Sequence, residues 1–142
     1  MLALAASAQP LADRSYIRRL RRYGPLREDD WEELETLLVR TETYSANQTI
    51  GSDSPPFFLV SGWACLSRSL RDGRRQILAF LLPGESVGFD LLTRNQSSVE
   101  VVALTPLKAR HAKQTLPPLS ERLGRVFAGA AAARQSRLLD QV

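Results

Sequence analysis

The chain has 142 residues, 44% of them hydrophobic and 24% charged, which excludes a mainly disordered polypeptide and fits one domain with its own core. Nineteen basic against 15 acidic side chains give a net charge of +4, and every basic residue except Lys108 and Lys113 is arginine, a bias that reflects an Arg-rich coding background more than phosphate contact. The single cysteine, Cys65, excludes an internal disulfide and an iron–sulfur cluster and fits a reducing, cytoplasmic setting.

The opening "MLALAASAQP" lacks the basic n-region of a secretory signal, and no apolar run approaches the roughly 20 residues that span a bilayer, so a soluble protein is expected. Arg14, Arg18, Arg19, Arg21 and Arg22 then crowd one segment, and Glu28, Asp29, Asp30, Glu32, Glu33 and Glu35 follow at once. Blocks of opposite sign this close read as two solvated faces that attract each other rather than as a nucleic-acid stripe. Tyr16, Ile17, Leu20 and Tyr23 stand at helical spacing, which predicts a short basic helix with one docking side, stopped by Gly24 and Pro25. A second helix is predicted in "REDDWEELETLL", with Glu28, Asp29 and Asp30 at the positive end of its macrodipole and Trp31, Leu34 and Leu38 on one face.

From Val39 the pattern alternates and is rich in β-formers, as strands are. Gly51, Gly62, Gly73 and Gly84 lie eleven residues apart, the rhythm of a strand plus a turn in a small antiparallel barrel or jelly roll. Asp72-Gly73 between "WACLSRSL" and "RRQILAFLL" is a strong hairpin signal, because both turn residues tolerate positive φ. Pro83-Gly84 closes the second of these strands, and Pro106 divides the extended run that follows.

After Pro117 and Pro118 the helical period returns, with Ser120 placed as its cap. Leu123, Val126, Phe127 and Ala130 form one apolar stripe, and Ala131, Leu138 and Val142 continue a second. One stripe can cover the barrel and the other can face a partner helix, so Leu123, Phe127, Ala130, Ala131, Leu138 and Val142 are the candidates for homodimer contact. The helix meets no Gly, Asn or Pro before Val142, which predicts that the natural polypeptide continues. The predicted fold class is mainly β with flanking helices. Its divisions are a basic helical arm over residues 1–25, a jelly roll over 26–115 and a dimerisation helix over 116–142.

The run "VSGWACLSRSLRDGRRQILAFLLPGESVGF", followed by "SVEVVALT" and the long Ala- and Leu-containing helix, resembles the N-terminal sensor domain of the Crp/Fnr transcription regulators. The resemblance implies a double-stranded β-helix, a long dimerisation helix, and then a winged helix-turn-helix that reads DNA and lies outside this chain. It also places the effector pocket at Gly84, Glu85, Gly88, Phe89, Asp90, Ser97 and Ser98. In cyclic-nucleotide-binding relatives a Gly-Glu pair opens the phosphate cassette and an Arg-Ser or Arg-Thr pair precedes the next strand. Arg grips the cyclic phosphate and Glu accepts the ribose 2′-hydroxyl. Here Gly88 matches, but Phe89 stands at the Glu position and Ser97 at the Arg position. A phosphate buried without its cation retains a desolvation cost of several kcal/mol, so cyclic AMP and cyclic GMP are not expected to bind in the usual mode. Asp90 would repel the phosphate, and Arg94 lies in a loop of unknown direction.

Other chemistries find little material. His111 and Cys65 are the whole stock of strong haem ligands, and His111, between Arg110 and Ala112, reads as an exposed or hydrogen-bonded imidazole. Cys65, alternating with Ala64 and Leu66, reads as strand packing rather than a redox switch. A metal-dependent cupin shares the barrel and its Gly/Pro punctuation but needs several His around one ion, and there is one. Ser61, Ser67 and Ser69 have no neighbouring His base, so no enzyme, metal or cofactor is expected. A stand-alone module whose basic first helix contacts nucleic acid is the third reading, and it predicts steeply salt-dependent binding.

Overall fold

The computed structural model describes residues 15–51, 53–89 and 99–140. The elements run α1 (Ser15–Leu20), a 3-10 turn (Arg21–Tyr23), α2 (Glu28–Leu37), β1 (Leu38–Tyr44), β2 (Thr49–Ile50), β3 (Phe57–Ser61), β4 (Ala64–Ser69), β5 (Arg75–Leu81), β6 (Ser86–Val87), β7 (Val99–Ala103), β8 (Leu107–Ala112) and α3 (Glu121–Asp140). Two antiparallel four-stranded sheets, in the orders β1-β8-β3-β6 and β2-β7-β4-β5, face each other as a jelly roll. This is the mainly β class with flanking helices that the alternation predicted.

Strand period two decides which side chains enter the space between the sheets. Phe57 and Leu59 of β3, Ala64 and Leu66 of β4, Val99, Val101 and Ala103 of β7, and Leu107 and Ala109 of β8 meet there in one buried cluster. The intervening residues of β3 and β8 point the other way. Phe58 and Ala112 join Tyr16, Leu20, Leu34, Phe89, Leu123, Val126 and Phe127 in a second cluster beneath the helices.

The glycine rhythm has a local cause at two of its turns. Gly62 sits at φ +90° between β3 and β4, where a Cβ would stand 2.4 Å from the Pro106 carbonyl oxygen, so the backbones meet there only because the side chain is absent. Gly73, at φ +87°, has open space around it and is required for its conformation alone. Asp72 closes that hairpin, its carboxylate accepting the Arg74 N–H at 3.0 Å.

The helices are joined to each other by polar contacts at their ends. Asp30, 1% exposed, accepts the Arg27 N–H at 2.8 Å at the start of α2, the Ser120 hydroxyl at 3.2 Å and Arg122 Nε at 2.7 Å. Ser120 in turn accepts the Leu123 N–H at 3.3 Å, as a helix cap does. The Arg122 hydrogen bond holds the Asp30 carboxyl below the usual carboxylate range, against the opposing effect of burial. On the outer face of β8, Arg110 reaches Glu35 of α2 at 3.1 Å, and the Tyr16 hydroxyl donates to the same carboxylate. Helix α2 ends one residue earlier than its apolar pattern suggests: Leu38 already has extended backbone, and β1 begins without an intervening loop.

Candidate functional site

Between the sheets, at the end where β6, β7 and the segment after β2 converge, lies a cavity of about 290 Å³. Its floor is apolar, made by Ile50, Phe57, Leu66, Val87, Val99 and Val101, and its rim carries Gly51, Asp53, Ser54, Pro55, Pro56, Gly88 and Gln114. Small-molecule sites are commonly built this way, with an apolar interior and a few polar groups at the edge. Among the described residues the lining holds one charged group, the Asp53 carboxylate, and no cation.

His111 stands directly behind the rim. The side chain is 1% exposed and lies against the Phe57 ring, with centroids 5.1 Å apart. Its Nδ1 is 3.0 Å from the Pro55 carbonyl oxygen and its Nε2 is 2.7 Å from the Tyr44 hydroxyl. A carbonyl can only accept, so Nδ1 carries the hydrogen and Nε2 accepts from Tyr44. Burial moves this imidazole below its ordinary value, so the neutral form is favoured. The hydrogen-bonded alternative for His111 is therefore the one found.

The turn after β5 lies against β3 instead of at the cavity. Gly84 has φ +95°, its N–H donates to the Leu59 carbonyl at 2.7 Å, and the Glu85 carboxylate accepts the Leu82 N–H at 2.7 Å. Two arginines from distant helices hold the same turn. Arg19 Nε donates to the Pro83 carbonyl at 2.8 Å, and Arg134 Nη2 of α3 donates to the Ser86 carbonyl at 2.6 Å. Glu85 and Arg134, each under a tenth exposed, lie 4.0 Å apart.

The sequence candidates for the pocket are thus divided. Gly88 lines the cavity. Gly84 and Glu85 instead face a small cleft shared with Ala130 and Arg134 of α3. Phe89, placed by motif position at the pocket, turns away from the cavity and stacks on Phe127 at 4.7 Å, 8° from parallel. The physical reason is the helical cover: a Phe at this position gains more from the cluster around Phe58 than from an open rim. Its bulk therefore does not fill the cavity. Asp90, Ser97 and Ser98 lie outside the described residues.

Of the dimer candidates, Leu123, Phe127 and Ala131 are 0%, 2% and 8% exposed within their own subunit. Ala130 borders the cleft at Glu85. The side chain of Leu138, and Val142, lie outside the described residues. The two stripes read from the sequence run together over the described part of α3, because Ala131 and Arg134 lie one and two turns beyond Phe127.

Cys65 packs into β4, 4% exposed, and burial pushes its thiol upward, which disfavours the thiolate that redox sensing needs. Among the described residues no three His, Cys, Asp or Glu side chains converge as metal ligands. No helix among them is long and apolar enough to cross a membrane.

Comparison with known proteins meets this geometry at the same residues. The model of the cyclic nucleotide-binding domain matches residues 41–114, from β1 through the strand that carries His111. The chain belongs to the cyclic nucleotide-binding domain family. Solved structures share the jelly roll with its helices. Thermus thermophilus catabolite activator protein is 24% identical with a TM-score of 0.56, the match covering 87% of this chain and 59% of that one. A second Thermus thermophilus protein, a transcriptional regulator of the Crp/Fnr family, is 15% identical with a TM-score of 0.56, covering 71% and 54%. Oxidized CprK, in complex with o-chlorophenolacetic acid, is 14% identical with a TM-score of 0.51, covering 78% and 52%. The chain therefore spans less than two thirds of each of these proteins. No curated protein matches the sequence.

For a member of this family, sequence reasoning missed most of the rim. Asp53, Ser54, Pro55 and Gln114 come from segments without a motif, and only the Pro55-Pro56 pair stands out in the sequence. Arg134 was the more legible omission. It sits seven residues after Phe127, on the buried stripe, where an arginine needs a buried acceptor.

Proposed function

We propose that this cyclic nucleotide-binding domain is the sensor part of a Crp/Fnr-type DNA-binding transcription regulator, with an effector other than cyclic AMP or cyclic GMP bound in the usual mode. The observation that carries this reading is the cavity itself: it is formed, apolar at its floor, and bordered among the described residues by a carboxylate and no cation. A cyclic phosphate entering it would give up water without gaining a charged partner among the described lining residues. Phe89, at the position where relatives hold the ribose-binding Glu, is committed to the helical cluster. The complex of CprK with o-chlorophenolacetic acid supports a non-nucleotide effector, since that ligand is held by a protein of the same fold.

In this reading DNA is contacted by a C-terminal winged helix-turn-helix beyond the chain, and the protein acts as a cytoplasmic homodimer through its C-terminal helix. The chain carries no catalysis and needs no cofactor. Isothermal titration with cyclic AMP and cyclic GMP is expected to give no saturable heat. Stoichiometric binding in the micromolar range would overturn the effector assignment, and light scattering that returns a monomer at high concentration would overturn the dimer.

A further inference from the structure

One buried imidazole, His111, stands against the cavity rim. Residues 55 to 57 form a continuous piece of the cavity lining, and two of the three touch His111: Pro55 through its carbonyl and Phe57 through its ring. The segment has little else to fix it. Prolines 55 and 56 have no N–H to donate, so its attachments are the carbonyl of Pro55, the carbonyl of Pro56, which accepts the Ala112 N–H at 2.7 Å, and the pairing that starts at Phe57.

We propose that His111 is the positioning residue of the cavity wall: its neutral imidazole, donating from Nδ1 to the Pro55 carbonyl and accepting at Nε2 from Tyr44, latches residues 55–57 in the shape that frames the cavity. The latch is sensitive to acid. A proton added at Nε2 turns that acceptor into a donor, so the Tyr44 hydroxyl must direct its own hydrogen elsewhere, and a full charge then stands in a site 1% exposed.

The surrounding charges do not offset this. From β1, Arg40 disfavours the charged imidazole and Glu42 favours it, but the two are paired with each other at 3.0 Å. β3 contributes the uncharged Phe57 ring, and the preceding loop, whose one charged group among the described residues is Asp53 at the rim, bonds the imidazole through the Pro55 carbonyl. Along β8 itself, Arg110 points to the opposite face, toward Tyr16 and Glu35. Because burial lowers the folded value below 6.5, the contribution of the neutral latch is complete above that pH and declines as pH falls toward the folded value.

The effector role of the cavity is tested separately by titration with nucleotides; the latch is read without any ligand. Long-range proton–nitrogen NMR on the chain at about pH 7.5, well above the ordinary imidazole value, should show His111 protonated at Nδ1 and bare at Nε2. The opposite tautomer, or an even mixture, overturns the proposal. Amide exchange at Ser54 and Ala112, whose N–H groups donate to the Gly51 and Pro56 carbonyls, then compares two variants. His111→Leu should speed exchange there by about tenfold, the weight of one lost hydrogen bond, whereas His111→Asn, whose amide occupies the Nδ1 position, should stay near wild type. Equal protection in all three proteins would show that the imidazole only fills space. Where His111→Leu fails to fold, the tautomer in the unmodified chain still decides.

Discussion

Phe57 and Phe58 are neighbours in β3, equally apolar and both buried, yet they serve different regions of the molecule. Phe58 points to the helices and touches the rings of Tyr16, Phe89 and Phe127 at 4.6, 5.0 and 6.0 Å. Phe57 points between the sheets and forms part of the cavity floor. The helical side is closed, interlocked by aromatic contacts and by the Asp30 and Arg110 networks. The inner side is left incompletely filled at one end. The two kinds of packing differ in what they permit: a ligand can enter where packing is unfinished, whereas a tightly packed interior transmits strain.

The largest test of that contrast removes each ring in turn. Phe58→Ala should cost about 3–5 kcal/mol in urea unfolding, since the side chain is fully buried among three other rings. Phe57→Ala should fall at or below the lower end of that range, because it enlarges a space that already exists rather than opening a new one. Equal losses would mean that the inner face is as tightly packed as the outer.

A second test acts on the ends of the helices. Asp30→Asn retains the volume but weakens the bonds to Arg27, Ser120 and Arg122, and should cost about 1–3 kcal/mol at neutral pH. The pH dependence has a definite sign. Asp30 is held below its ordinary value in the fold, so its contribution is present above about pH 4 and is lost as pH falls through the folded value. The acid limb of the stability curve should therefore be shallower in Asp30→Asn than in the parent. An unchanged limb would assign acid sensitivity to other carboxylates.

How much of this was legible in the residues differs between the same two regions. The strands, the Asp72-Gly73 hairpin, the break at Pro106 and the Ser120 cap are local signals, and each is found where the pattern predicts it. The destination of Phe89 was not local. Its motif position points to the pocket, but which side it takes is decided by Phe58 and Phe127, distant in sequence and adjacent in space. The use of the α3 stripes is not local either: helical period shows that Leu123, Phe127 and Ala131 share a face, and says nothing of whether that face meets its own subunit or another. His111 shows the limit from the other side. Its neighbours in sequence are Arg110 and Ala112, whereas its bonding partners, Tyr44 and Pro55, lie 67 and 56 residues away.

The smallest effect sharpens the contrast most finely, because it adds a single methylene to each region. Val101 borders the cavity and Val126 is 1% exposed inside the helical cluster. Val126→Ile has no free volume to enter and should cost about 1–3 kcal/mol through displaced neighbours. Val101→Ile can extend into the cavity, so its added contacts offset the strain and the net change should stay within about 1 kcal/mol of zero, in either direction. The same substitution narrows the space open to an effector without touching Asp53 or the His111 latch. If both variants lose stability equally, the cavity floor is as rigid as the helical core, and the division between an open and a closed side of β3 does not hold.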